Sequence, residues 1–224
     1  MVMKRKSLRH NGERRSQREA GFSLLEVITV LAISIVLSVV SIVSLVPIMA
    51  QYRLGNAYNT TLAAMRLARD NAVAQRTSYS VTFSNGATPN TITVTPTLAS
   101  FQGAQNTSVY QLPTDVSFYA ASAIASTPPP DGYGTGANAI DFGYTANGVG
   151  TGGAATVYFC PDGSAQDAEN GAGNCAGSAD GGVIYISRSN DLLSSRAISL
   201  WGTTGRMRGW RLYPAASGYQ WVRQ

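Results

Sequence analysis

The chain has 224 residues, and its formal charge of +5 lies entirely within residues 1–21. This leader contains both lysines and the only histidine, and from Phe22 onward ten arginines balance ten acidic residues. Without lysine or histidine, the remaining chain excludes Ser-His and Cys-His catalysis, histidine metal sites, Schiff-base chemistry and P-loop phosphate binding. A glycosidase-like carboxylate pair stays open, although no acidic residue lies in a suggestive motif. We therefore expect no enzyme, no catalytic residue and no cofactor.

An apolar run follows the leader. Residues 27–46 contain no charge, and twenty such residues suffice to cross the roughly 30 Å hydrocarbon core of a membrane as one helix. The basic leader should remain in the cytoplasm, which places the chain after Pro47 on the far side of the membrane. Glu26 precedes the run, and a carboxylate at this depth indicates a function because its insertion costs on the order of 2.5–3.5 kcal/mol. The alternative is an ordinary single-span protein that keeps its leader.

The junction between leader and apolar run resembles a known processing site. The string Gly21-Phe22-Ser23-Leu24-Leu25-Glu26 is similar to that of type IV pilins and of the pseudopilins of type II secretion. This resemblance implies that a prepilin peptidase cuts after Gly21 and methylates Phe22. It also implies that Glu26 meets the terminal amine of a neighbouring major or minor pilin. The subunit would wait in the inner membrane with its C-terminal domain in the periplasm, and then join a fibre at the cell surface.

The helical pattern continues to about residue 76, with apolar residues at intervals of three to six residues and arginines between them. The segment 62–73, followed by the strand-like 79–83, resembles the GspH/FimT branch of minor pilins and pseudopilins. The predicted organisation is a leader over 1–21 that is removed, a transmembrane helix over 22–49, an amphipathic continuation over 50–77 and a β-rich domain over 78–224.

Short alternating runs in the last segment predict antiparallel strands. These are residues 81–83, 91–95, 116–119, 139–144, 156–160, 183–187, 197–201 and 209–213. Segments 123–136 and 145–182 are rich in Gly, Ala and Ser and are predicted to be long loops. The expected fold class is α+β, a type IV pilin fold in which the long N-terminal helix packs on an antiparallel β-rich domain.

Two cysteines, Cys160 and Cys175, lie on the predicted far side of the membrane. In an oxidising compartment such a pair most often forms a disulfide, which here would stabilise the fold by about 3 kcal/mol. Two thiols without histidine seldom bind zinc. A calcium site would need the nearby acidic residues, which lack the regular alternation of a binding loop. These are Asp162, Asp167, Glu169 and Asp180. We expect a disulfide and no metal.

The neutral mature chain is polarised. Residues 77–187 contain seven acidic residues and no basic one, whereas residues 188–224 carry a net charge of +5. Arginines at alternating positions of a strand lie on one face, where they can hold phosphates. The tryptophans and the tyrosine nearby, Trp201, Trp210, Tyr213 and Trp221, could stack on bases or belong to the core, and we favour the core. The arginines could equally be solvated or paired with the acidic half.

A short motif favours DNA binding. Gly205-Arg206-Met207-Arg208 fits the Gly-Arg-x-Arg motif of DNA-binding FimT-like minor pilins, and the resemblance implies that Arg206 and Arg208 contact phosphates. Arg211, Arg196 and Arg188 would assist, in binding that is largely independent of sequence and sensitive to salt. The first hypothesis is thus a minor pilin that binds extracellular DNA for natural transformation. The alternative is a structural minor pilin or GspH-like pseudopilin that primes assembly and binds no DNA.

Overall fold

The computed structural model describes residues 21–86, 88–97, 106–144, 153–167 and 175–224. Most of the predicted leader, residues 1–20, and parts of the predicted loop 145–182 lie outside the described residues. The chain divides into two compact units, Met1–Leu45 and Val46–Gln224. All the described strands belong to the second unit.

The N-terminal element is one long α-helix, α1, which spans Leu24–Gln75 and contains Pro47. The large apolar side chains described between Leu24 and Met49 are each at least 47% exposed. By length and composition, α1 contains a stretch that could cross a membrane. Three serines in this stretch donate to the carbonyl four residues earlier, so that their hydroxyls are satisfied within the helix. They are Ser38, Ser41 and Ser44.

The part of α1 within the second unit buries one stripe. Leu54, Ala57, Thr61, Met65 and Ala68 recur at intervals of three or four residues and are almost fully buried. This spacing keeps them on one side of an α-helix. The small alanine and threonine side chains let the strands approach the helix closely. The amphipathic pattern of the sequence therefore marks the surface that packs on the β structure.

Within the described residues, eleven strands follow the helix, and their pairings are antiparallel. They are β1 Tyr79–Ser84, β2 Thr91–Pro96, β3 Ser108–Gln111, β4 Val116–Phe118, β5 Ile140–Tyr144, β6 Thr156–Phe159, β7 Ala165–Asp167, β8 Gly181–Arg188, β9 Asp191–Trp201, β10 Arg206–Ala215 and β11 Gly218–Arg223. The first sheet has the order β3-β2-β1-β6-β7, and the second has the order β11-β10-β9-β8-β4, with β5 also paired to β8. The α+β fold class is confirmed.

The core has two layers around the second sheet. The main cluster joins the buried stripe of α1 to side chains of both sheets, among them Phe83 and Ile198. A second cluster lies on the other face of the second sheet, where Tyr185 and Leu212 meet Ile124 and Tyr133. Ile124 and Tyr133 belong to the segment predicted as a loop over 123–136. That prediction is corrected in part, because the segment forms two 3₁₀ turns, Ser122–Ile124 and Pro130–Gly132, and covers the sheet.

Three strands were not predicted, namely β3, β7 and β11, and β8 to β10 are longer than expected. Strand β7 lies inside the stretch predicted as a loop over 145–182, and all three of its residues are buried. The sequence Ala165-Gln166-Asp167 has neither β-branched residues nor alternation, so its extended form comes from pairing with β6. Strand pairing between distant segments thus overrides the weak local signal.

Candidate nucleic-acid interface

The predicted processing segment lies before the helix. Gly21, Phe22 and Ser23 precede the first residue of α1, and Phe22 is 82% exposed. Glu26 lies in the first helical turn, where a carboxylate is favoured by the helix dipole. The predicted cleavage residue, the predicted new terminus and the carboxylate therefore lie within six residues at an exposed end of the helix.

Of the six residues predicted to bind DNA, Gly205 lies in the turn between β9 and β10, and the five arginines lie on two faces of the second sheet. Strand β10 carries Arg206 and Arg208 on one face, because residues two apart in a strand share a face. Arg211 is an odd number of residues away and lies on the opposite face, directly across from Arg196 of β9. That face is the one that packs on α1, since the Arg196 guanidinium lies over the ring of Tyr58 at 5.6 Å. The structure therefore separates the Gly-Arg-x-Arg motif from the assisting arginines.

The turn between β9 and β10 requires a glycine. Gly205 has a φ of +59°, and a Cβ at this position would collide with the carbonyl oxygen of Gly163. Arg69 of α1 holds the turn, donating to the carbonyls of Gly163 at 3.2 Å and Thr204 at 3.1 Å. The glycine of the motif is thus required by the backbone conformation of the turn. Hydrogen bonds from Arg69 of the helix fix this turn, which precedes Arg206.

An open groove of about 570 Å³ lies at this turn. It is lined by Arg66, Arg69 and Asp70 of α1 and by Trp201, Thr204, Gly205, Arg206, Met207 and Arg208. Arg206 is exposed and forms no ion pair with the part of the chain that the structure describes. Four arginines against one acidic residue make the lining positive, which suits a polyanion.

Arg208 is already paired. Its Nη1 donates to Asp131 Oδ1 at 2.7 Å, and its guanidinium lies 5.3 Å from the ring centre of Trp201. Asp131 also accepts from Ser199, whose hydroxyl in turn accepts from Trp210 at 2.9 Å. The Arg208 side chain is 24% exposed and that of Asp131 only 6%. Of the two motif arginines, Arg206 alone lacks an ion-pair partner among the described residues, and Arg208 would have to exchange Asp131 for a phosphate.

The three tryptophans are half-buried and pack against the second cluster, which agrees with the core role that the sequence favoured. Trp201 also lines the groove at the turn. Trp210 and Trp221 line another groove beside residues 128–130, and Tyr213 is 39% exposed. Only Trp201 therefore has a surface next to Arg206.

The assisting arginines make other contacts. Arg188 lies 3.6 Å from both Asp115 and Asp191, which are its ion-pair partners. Arg196 donates to Gln224 Oε1 at 2.9 Å, and Arg211 lies over the ring of Tyr213 at 5.2 Å. Burial lowers the pKa of the Arg196 guanidinium, and the positive charge of Arg211 lowers it further.

Sequence reasoning did not identify three residues at the groove. Arg66 and Arg69 were assigned only to the polar side of the helix, and Asp131 was one of seven acids in the acidic middle. Arg66 and Arg69 are three residues apart, and this spacing does place them on one helix face. The partner of Arg208 had no comparable signal, since Asp131 is 77 residues away in sequence.

The predicted disulfide joins Cys160 to Cys175. It borders the turn that holds Gly163, because Gly163 donates its N–H to the carbonyl of Cys160. Among the described residues no three His, Cys, Asp or Glu side chains could hold a metal ion, and Glu169 lies outside them. Asp162 instead accepts from the backbone and hydroxyl of Ser164, which lowers the pKa of its carboxyl.

Comparison of the chain with protein-family models, with curated proteins and with solved structures found no match. What the structure does establish is the architecture. The chain has one long apolar N-terminal helix followed by an antiparallel β domain, and this architecture is consistent with a pilin-like fold.

Proposed function

We propose that this chain is a FimT-like minor pilin of the GspH/FimT type that binds extracellular DNA for natural transformation. It would be cut at Gly21 by a prepilin peptidase, wait in the inner membrane with its β domain in the periplasm, and then join other pilins in a fibre. Its role is to bind, not to catalyse. The proposal rests on the processing sequence, on the helix and on the groove at the β9–β10 turn.

One observation carries the DNA-binding part of this proposal. The exposed Arg206 lies in a groove with Arg66 and Arg69, and it has no ion-pair partner among the described residues. The planar guanidinium group of an exposed arginine can bind a phosphate through two parallel hydrogen bonds. Arg66 would hold a neighbouring phosphate from the helix side of the groove, and Trp201 would contact the sugar or base.

The proposal assigns different roles in DNA binding to the arginines. Arg206 makes the main phosphate contact, whereas Arg208 positions Trp201 and reaches a phosphate only by leaving Asp131. Arg211, Arg196 and Arg188 lie on the other face of the sheet and are not needed for this groove. With about two or three phosphate contacts, one subunit binds weakly, in the micromolar range, and several subunits along a fibre bind more tightly.

The test is a titration of fluorescent single- and double-stranded oligonucleotides with the full chain in neutral detergent. Replacing Arg206 with Gln should weaken binding about five- to tenfold and reduce the salt slope by about 1, because one phosphate contact is lost. The matched control is Arg223→Gln, which removes the same charge from an exposed position of β11 outside the groove. Unchanged affinity in a variant with both Arg206→Ala and Arg208→Ala would reject DNA binding at this site.

A second candidate is a structural subunit that primes a pilus or a type II secretion pseudopilus. The observation that favours it is the pairing of Arg208 with Asp131 and of Arg188 with Asp115, since arginines in ion pairs hold parts of the fold together and are less available to DNA. This candidate predicts that the chain ignores DNA and binds other pilins through its N-terminal helix. A pull-down with neighbouring minor pilins, alongside the oligonucleotide titration, distinguishes the two functions.

A further inference from the structure

A second arginine-lined groove, of about 240 Å³, lies on the helix-facing side of the second sheet. Gln51 and Leu54 of α1 form one wall, and the rest is lined by Arg188, Asp191, Leu193, Ser194, Arg196 and Arg211, so that three arginines face one carboxylate. Because it lies on the opposite face from Arg206, it is distinct from the proposed DNA groove.

Two like charges face each other in this groove. Arg196 and Arg211 are directly opposite on β9 and β10, an arrangement that destabilises a sheet. The ring of Tyr58 and the side chain of Gln224 hold the Arg196 guanidinium in place. The Nε of Arg196 is buried and has no hydrogen-bond partner within the described parts of the chain. Two guanidinium groups that line one groove from adjacent strands form a site for an anion.

The acidic groups nearby do not neutralise this pair. Asp191 is within ion-pair distance of Arg188, and Asp115 is shared between Arg188 and Arg53. No carboxylate of the described residues lies within 4 Å of a guanidinium nitrogen of Arg196 or Arg211. The lowered pKa of Arg196, caused by burial and then by Arg211, agrees with a positive charge that lacks a counterion.

The groove lies close to the end of the apolar run. Gln51 follows Val46 by five residues, or about 7 Å along an α-helix. The adjacent Tyr52 is 73% exposed, and Leu193, which lines the groove, is 47% exposed. A tyrosine and arginines directly after an apolar span are typical of the membrane interface, where aromatic rings and long cationic side chains reach the headgroups.

We propose that this groove binds the phosphate of an anionic membrane lipid before the subunit leaves the membrane. Arg196 and Arg211 hold the phosphate oxygens from two strands, and their mutual repulsion is relieved by the bound anion. Leu193, which is 47% exposed, contacts the apolar part of the lipid next to the headgroup. This proposal does not depend on DNA binding, because no residue of the Arg206 groove takes part.

The test uses the full chain purified in neutral detergent and titrated with short-chain phosphatidylglycerol or phosphatidylcholine in mixed micelles. We expect phosphatidylglycerol to bind about tenfold more tightly than phosphatidylcholine. Arg211→Gln should abolish this preference, and Arg211→Lys should restore part of it. Arg223→Gln should leave it unchanged, because Arg223 pairs with Trp210 and lies on the sheet face opposite the groove.

A stability measurement separates a binding role from a structural one. Without lipid, Arg211→Gln should raise the unfolding midpoint by about 1–3 °C, because it removes the repulsion from Arg196. A residue that only stabilises the fold would lower the midpoint. If Arg211→Gln does not fold, Leu193→Asp gives the same test, since it places a negative charge in the groove from an exposed position and should lower the affinity for phosphatidylglycerol about tenfold.

Three results would overturn the proposal. Equal binding of the two lipids would exclude recognition of an anionic headgroup. Inorganic phosphate that raises the midpoint as much as phosphatidylglycerol does, with no preference for the lipid, would identify a free phosphate as the ligand. An oligonucleotide affinity that falls as far in Arg211→Gln as in Arg206→Gln would make the groove part of the DNA interface.

Discussion

The two arginines of the Gly-Arg-x-Arg motif, Arg206 and Arg208, differ in what surrounds them. Both project from the same face of β10, yet Arg206 is exposed and Arg208 is bound to Asp131. The Arg208–Asp131 pair is largely shielded from water, so that removing one partner would leave a poorly solvated charge without its counterion. The sequence motif predicts two equivalent phosphate contacts. In the structure Arg206 is exposed, whereas Arg208 could bind a phosphate only in competition with the Asp131 carboxylate.

Asp131→Asn tests this competition. The amide should weaken the hold on Arg208 and remove a negative charge beside the groove, and asparagine tolerates the φ of +53° at this position. We expect the free energy of unfolding to fall by about 1–2 kcal/mol because a charge-assisted hydrogen bond is weakened. The affinity for an oligonucleotide should rise about threefold.

The matched control is Asp115→Asn, which removes the same charge from the pairs with Arg53 and Arg188 away from this groove. It should leave the affinity for DNA unchanged. A loss of DNA affinity in Asp131→Asn would mean that Asp131 orients Arg208 for binding and does not compete with the phosphate. Urea unfolding and anisotropy on the same samples give both quantities.

At the scale of elements, the β9–β10 turn depends on its neighbours. The Gly163 carbonyl that abuts Gly205 belongs to a short turn beside Cys160, and the disulfide joins this turn to Cys175. The turn at Gly205 therefore abuts a segment, residues 161–174, whose sequence contains few apolar residues. Its position depends on a covalent link and on the hydrogen bonds of Arg69.

Replacing Cys160 and Cys175 with serine should lower the free energy of unfolding by about 3 kcal/mol, since the unfolded chain is no longer constrained. The affinity for DNA should also fall, because Gly163 and the turn at Gly205 lose a fixed support. Urea denaturation of the variant and of the reduced wild type should agree. A variant with the stability and affinity of the wild type would show that the hydrogen bonds alone hold the turn.

The elements also show what the sequence could and could not predict. The helix was predicted to within two residues, because the uncharged run and the apolar stripe that follows it together cover the segment. The disulfide followed from having only two cysteines. The strand β7 and the covering segment 123–136 were not predicted as structured, since their form comes from β6 and from the second sheet. The arginines of the candidate site were visible in the sequence, but their division between two faces depends on the register of β9 and β10.

On the scale of the whole molecule, charges of the acidic middle and of the basic C-terminal segment partly neutralise each other in ion pairs. The acidic middle supplies Asp115 and Asp131 to arginines of the C-terminal segment, so these two parts are joined by ion pairs across more than seventy residues of sequence. Arg206 on one face and Arg196 with Arg211 on the other form no ion pair with the described residues. The net charge of a segment therefore does not show which of its arginines are available to a ligand, because some of them pair with acidic residues elsewhere in the chain.

The division into two units predicts independent folding of the second. The fragment Val46–Gln224 contains both buried clusters, and none of their residues precedes Leu54. We expect it to unfold in one cooperative transition, with the near-ultraviolet circular dichroism of the full chain in detergent. Loss of that signal, or a second transition, would mean that residues before Val46 are needed for the fold.

The hydrogen bonds from Arg69 to the carbonyls of Gly163 and Thr204 have a mechanical consequence. Tension applied to a ligand at Arg206 reaches the adjacent turn first, and the turn is tied by one side chain directly to α1. The load can therefore enter the helix without first passing through the full length of the hairpin. The substitution Arg69→Gln would remove these hydrogen bonds. The load would then pass through β9 and β10, and the strand pairing could break progressively from the turn.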